Sequence, residues 1–120
     1  MAWSVLVVDD DPGFLSLTSQ ILEGLGVDVL TTAVDAESAI TCAEAGRPDA
    51  VLVDVGLPDR DGVDLGHQLA ALPWRPRVVL TSSDRDAVAA IDAGLGGQGL
   101  SFIPKEELAS GSLRRLLTRE

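Results

Sequence analysis

Short apolar runs alternate with stretches of helical periodicity along the whole chain. Ser4 to Val8 (SVLVV) reads as a strand that leads straight into Asp9, Asp10 and Asp11. Pro12 stands where a helix can begin, and Phe14, Leu17, Ile21 and Leu25 form an apolar stripe that ends at Gly24 and Gly26. Val27 to Thr32 alternates well enough for a second strand. Asp35 can then cap a helix whose Ala36, Ala39, Ile40 and Ala43 face inward, before Gly46 and Pro48 stop it. Ala50 to Val53 is a third strand, apolar on both faces, that meets Asp54 and a turn holding Gly56, Pro58 and Gly62. Val63, Leu65, Leu69 and Leu72 follow at helical spacing, closed by Pro73 and Pro76. Arg77 to Leu80 is a fourth buried strand that leads into Thr81, Ser82 and Ser83. Asp84 is expected to cap the next helix, with Val88 and Ile91 toward the core, ahead of a glycine-rich run from Gly94 to Gly99. Ser101 to Ile103 makes a short fifth strand that reaches Lys105, and Leu113, Leu116 and Leu117 mark a brief last helix.

Five strands alternating with five helices, joined by helix-length connections, require a parallel sheet covered on both faces. The fold class is α/β, a doubly wound five-stranded parallel sheet. Residues 1–120 read as one domain, with no internal linker, long repeat or low-complexity tract. A chain of this length buries roughly two-thirds of its unfolded surface and needs no disulfide or structural metal to fold. Nineteen acidic against nine basic residues leave a net charge of -10, which argues against direct binding of nucleic acid. The one cysteine, Cys42, reads as a small core hydrophobe on a helix. The N-terminus has no basic lead and its first apolar run is too short for a signal peptide or membrane span, so a cytoplasmic protein without a membrane partner is expected.

In open parallel sheets ligands gather beyond the carboxyl ends of the strands. Those ends carry Asp9 and Asp10, Asp54, Thr81 and Lys105. Each has a plain structural explanation by itself: the aspartate triplet as a capping turn, Thr81 as a strand-end hydroxyl, Lys105 as a surface lysine. Together they suit one chemistry. Crowded carboxylates repel by about 4 kcal/mol per close pair at the dielectric of a protein surface and should recruit a cation, and oxygen-only ligands suit Mg²⁺. A carboxylate can attack phosphorus, and phosphoryl transfer needs mainly positioning, cations and donors around the transferring oxygens.

The segments VLVVDDD, VLVDVGLPDRDG, VVLTSS and FIPK, in that order and over nearly the whole chain, resemble a receiver domain of the two-component response-regulator family. The resemblance implies a CheY-like, flavodoxin-like (βα)5 fold with strand order 2-1-3-4-5. It implies Asp54 as phosphoacceptor, with Mg²⁺ held by Asp9, Asp10, Asp54 and the Gly56 carbonyl. Thr81 and Lys105 would contact the phosphoryl group, and Phe102 would follow Thr81 inward in the switched state, with plain core packing as its alternative role. The implied partner is a sensor histidine kinase or phosphotransfer protein, and the output is an output domain or partner protein. Such a domain is a phosphoacceptor and not an enzyme in the ordinary sense, although small donors and self-dephosphorylation fit its chemistry. Homodimer formation stays open, as does whether the chain acts alone or was cut from a longer regulator.

Two features depart from the family pattern. Glu106 follows Lys105 where the family commonly has a proline, so a cis bond there is not assumed. The glycine-rich run from Gly94 to Gly99 is longer than usual; it is expected to be mobile and puts the standard output face in question. Three other readings compete. Asp9 and Asp11 satisfy the D-x-D start of haloacid-dehalogenase phosphatases, which leaves the Asp54 turn unexplained. A flavin binder would need a donor-rich phosphate loop in place of three aspartates. A degenerate receiver would only bind a protein partner.

Overall fold

Alternate residues of each central strand go to opposite faces of one parallel sheet, because β1 (Ser4–Val8), β3 (Ala50–Asp54) and β4 (Arg77–Ser82) are apolar at almost every position. With β2 (Asp28–Ala33) and β5 (Leu100–Pro104) at the edges, the order is β2-β1-β3-β4-β5 and every pairing is parallel. The computed structural model describes residues 3–83, 100–108 and 112–118. The expected cap at Asp84, the helix holding Val88 and Ile91 and the glycine-rich run 94–99 lie outside the described residues.

Helices α1 (Pro12–Gly24), α2 (Ala36–Gly46), α3 (Gly62–Ala70) and α4 (Ser112–Thr118) cover the sheet. On one face Leu6, Val8, Val51 and Val53 pack with Ala39 and Ala43 of α2 and Leu65 and Leu69 of α3. On the other face Val5, Val7 and Leu52 pack with Leu15 and Leu22 of α1 and Leu113 and Leu117 of α4. Full burial of each of these valine and leucine side chains contributes about 1.5–3 kcal/mol. Among the described residues no helix is long and apolar enough to cross a membrane, and no peptide bond is cis, including those flanking Lys105.

The inward face of α1 differs from the expected stripe. Leu15, Thr18 and Leu22 are buried, Phe14, Ile21 and Leu25 are only partly so, and Leu17 is 54% exposed. Strands β4 and β5 also run past their apolar cores, because Thr81 and Ser82 pair with Ile103 and Pro104. Thr81 is thereby held on both edges, since it also pairs with Asp54. The expected cap at Asp35 forms a capping box with Ser38, whose amide donates to Asp35 Oδ1 at 2.8 Å.

A second carboxylate also serves that helix start. Asp59, in the loop after β3, accepts the Ala36 amide at 2.9 Å and the Glu37 amide at 3.2 Å. The Ala36 bond, the larger influence, holds the Asp59 carboxyl below its ordinary value of 3.8. A depressed folded-state pKa means a contribution to stability that is present at neutral pH and lost as pH falls through that lowered value. Asp59→Ala is therefore expected to melt earlier than the parent chain at pH 7. The difference between the two melting curves should shrink as pH is lowered through that depressed value.

Candidate functional site

The three aspartates after β1 divide between structure and chemistry. Asp11 turns back to cap α1, its Oδ1 accepting the Gly13 amide at 3.0 Å. Asp10 is exposed. Asp9 is 1% exposed, its amide donates to the Ala33 carbonyl at 3.0 Å, and its Oδ1 accepts the Asp11 amide at 2.9 Å. One local turn thus forms the helix start and fixes a buried carboxylate beside it.

The other strand ends bring the remaining groups to the same place. Asp54 closes β3 at 7% exposure, and its Oδ1 accepts the Gly56 amide at 3.1 Å. Thr81 is its register neighbour on β4, and the Thr81 carbonyl accepts the Val55 amide at 3.0 Å, which keeps the turn against the sheet. The Thr81 Oγ1 is buried and has no hydrogen-bond partner among the described residues. Lys105 opens a 3-10 turn (Lys105–Glu107) directly after β5. Its Nζ lies 2.8 Å from Asp9 Oδ2 and 3.5 Å from Asp54 Oδ2. The shorter contact is an ion pair with a buried carboxylate oxygen. Oxygens of Asp9, Asp10 and Asp54 all lie within 4.8 Å of one another.

Burial is the main influence on Asp9 and raises its carboxyl above the usual range, against the opposing pull of Lys105 and the Asp11 amide. Burial would lower the Lys105 ammonium, but its contacts with Asp9 and Asp54 outweigh that and raise it. Three carboxylates facing one ammonium leave the cluster negative. A hard divalent cation fits this donor set, because all the donors are oxygens and two of the carboxylates are held by backbone amides.

Every site residue named from the sequence sits at this end of the sheet except Phe102, which is one pleat back. Phe102 pairs in register with Leu80 and packs, partly buried, against the core cluster beneath α2 and α3. Gly56 contributes its amide to Asp54. Two further participants were not legible from the pattern. Phe14 was assigned to the core stripe of α1, yet its ring also lies 4.0 Å from Lys105 Nζ, a cation–π contact on the ammonium. Its place one turn into the helix that starts at this strand end was the available clue. Asp59 ties the loop carrying Pro58 to α2 through a contact 23 residues apart, which no local pattern announces.

The chain is similar to known proteins. A sequence model of the response regulator receiver domain matches residues 5–110. The chain is 41% identical to the probable transcriptional regulatory protein TcrX of Mycobacterium tuberculosis, over 97% of this chain and 50% of that protein. It is 35% identical to the DNA-binding response regulator MtrA of Mycolicibacterium smegmatis, over 91% of this chain and 49% of that protein. It thus spans about half the length of these relatives. The signal receiver domain of a modulated diguanylate cyclase from Desulfovibrio desulfuricans superposes with a TM-score of 0.82 at 28% identity, covering 99% of this chain and 93% of that one.

Proposed function

The chain belongs to the response regulator receiver domain family, and we propose that Asp54 is its phosphoacceptor, loaded by a histidine kinase or phosphotransfer protein. One feature carries this reading: the carboxylates of Asp9, Asp10 and Asp54 converge within 4.8 Å, with Lys105 Nζ 2.8 Å from the first and 3.5 Å from the last. Receiver domains of this family bind Mg²⁺ at an acidic pocket, and here Asp9, Asp10, Asp54 and the Gly56 carbonyl would hold it. Once bound, the ion supplies positive charge to the transferring oxygens.

In the transfer an Asp54 oxygen forms the new bond to phosphorus as the bond to the donor imidazole nitrogen breaks. The nitrogen keeps the electron pair and takes up a proton. Lys105 neutralises charge on the incoming group, and the unpartnered Thr81 hydroxyl donates to one of its oxygens. The product carries about -1.5 to -2 charge in place of -1, and Thr81 moving toward it opens room for Phe102 to turn inward. A swing from one state to the other needs about 5.5 kcal/mol of differential stabilisation. The domain serves as a phosphoacceptor in the cytoplasm and passes its state to an output domain or partner protein, without gripping nucleic acid through its own acidic surface.

Beryllofluoride, a phosphoryl mimic, tests the placement of these residues. The chain is expected to bind one equivalent in the presence of Mg²⁺ and none in EDTA. Thr81→Val should weaken binding about tenfold through loss of one hydrogen bond to a charged group. Equal binding with and without Mg²⁺, or full binding by Asp54→Ala, would contradict the assignment.

A further inference from the structure

At the opposite end of the sheet, below the amino ends of β1, β3 and β4, lies a cavity of about 380 Å³ lined by Trp3, Arg47, Asp49, Trp74, Arg75 and Arg77. Three of the nine cationic residues of a chain with net charge -10 therefore meet at one place, remote from the carboxylates; Arg77 is held by donating Nε to the Leu116 carbonyl, which leaves Arg47 and Arg75 as the cations of the proposal. The one acid among them is engaged, since Asp49 Oδ2 accepts the Ser4 amide at 2.8 Å and the Ser4 hydroxyl at 3.2 Å. Both tryptophans of the chain face the same space. Trp74 is fixed by donating Nε1 to the Pro48 carbonyl at 2.9 Å, and the Arg47 guanidinium lies 4.9 Å from its ring centroid. Trp3 Nε1 is buried with no acceptor among the described residues.

The backbone adds a second observation. Arg47 and Arg75 hold left-handed φ values of 48° and 47°, and they are the only non-glycine residues to do so among those described. Arg75 also precedes Pro76, which restricts it further. Each closes a turn, Arg47 donating its amide to Ala43 and Arg75 to Leu72. Glycine would make both turns without strain, so what arginine adds at these positions is a guanidinium aimed at the cavity.

From these features we propose that the cavity is a binding site for a planar aromatic anion, a nucleotide being the class that fits. The Trp3 indole takes the ring, and the Arg47 and Arg75 guanidinium groups take the phosphate. The volume falls within the range of small-ligand clefts, which run about 300–1,000 Å³.

The chain has two tryptophans and no tyrosine, so its intrinsic emission reports this cavity. ADP titrated in EDTA, where no Mg²⁺ can bridge the nucleotide to the acidic cluster, should change that emission and saturate below about 1 mM. Adenosine and inorganic pyrophosphate, the ring without charge and the charge without ring, should each bind at least about tenfold more weakly than ADP. Arg47→Gly and Arg75→Gly should each lose about tenfold in ADP affinity while melting no earlier than the parent chain, because both turns favour glycine. A flat emission curve to about 5 mM ADP would overturn the proposal. So would equal binding of pyrophosphate and ADP, or undiminished binding by both glycine variants.

Discussion

Asp54→Asn is expected to melt later than the parent chain in EDTA and to take up no phosphoryl group from any donor. Asp54 shares a space of 4.8 Å with two other carboxylates, while one ammonium, Lys105, pairs with Asp9 and Asp54. A close like-charge pair costs up to about 4 kcal/mol at an effective dielectric of 20, and the lost attraction to Lys105 at 3.5 Å offsets part of the relief. Exposure of Asp10 screens a further share. The net gain should be on the order of 1–2 kcal/mol, read as roughly 4 °C per kcal/mol in a thermal melt. Asparagine keeps an oxygen for the Gly56 amide, so the turn survives. Millimolar Mg²⁺ should stabilise the parent chain more than the variant and narrow the difference. A variant that melts earlier in EDTA would show that Lys105 already compensates the cluster.

The second large effect belongs to Gly62→Ala. A Cβ at this first residue of α3 would stand 2.4 Å from Val55 Cα and 2.5 Å from the Asp54 carbonyl oxygen. Both are backbone atoms, and that backbone is pinned by the Gly62 amide on the Val55 carbonyl at 3.1 Å and the Val55 amide on the Thr81 carbonyl at 3.0 Å. No side chain can rotate away, so the overpacking should cost about 3 kcal/mol and displace the turn that follows Asp54. Gly24→Ala is the contrast: nothing lies within 4 Å of its added Cβ, and a gain of about 0.5 kcal/mol is expected at this helical position. Chemical denaturation of the two variants beside the parent chain reads both signs.

The sheet was legible because β1, β3 and β4 are apolar on both faces, a pattern that leaves little choice of element or direction. The site was legible for a related reason, since a carboxylate or hydroxyl directly after such a run has to emerge at the strand's carboxyl end. Strand order came from resemblance, because local patterning does not say which parallel strands lie side by side. The face of α1 was misjudged by one position. That helix carries apolar residues at 14, 15, 17, 21 and 22, and the stripe through Leu15 and Leu22 buries Thr18. A buried hydroxyl with no partner is costly, yet the Thr18 Oγ1 is buried and has no partner among the described residues. The Asp59 clamp and the tryptophan–arginine cavity were hidden by distance along the chain, since each joins residues from separate loops.

The central claim is that Asp54 takes a phosphoryl group in a Mg²⁺-dependent reaction. Intact mass followed by peptide mapping, after incubation with acetyl phosphate and Mg²⁺, tests it most directly. The expected result is a single base-labile phosphoryl adduct on the peptide containing Asp54, absent in EDTA and absent from Asp54→Asn. An adduct on another residue, or one that persists in the variant, would contradict it.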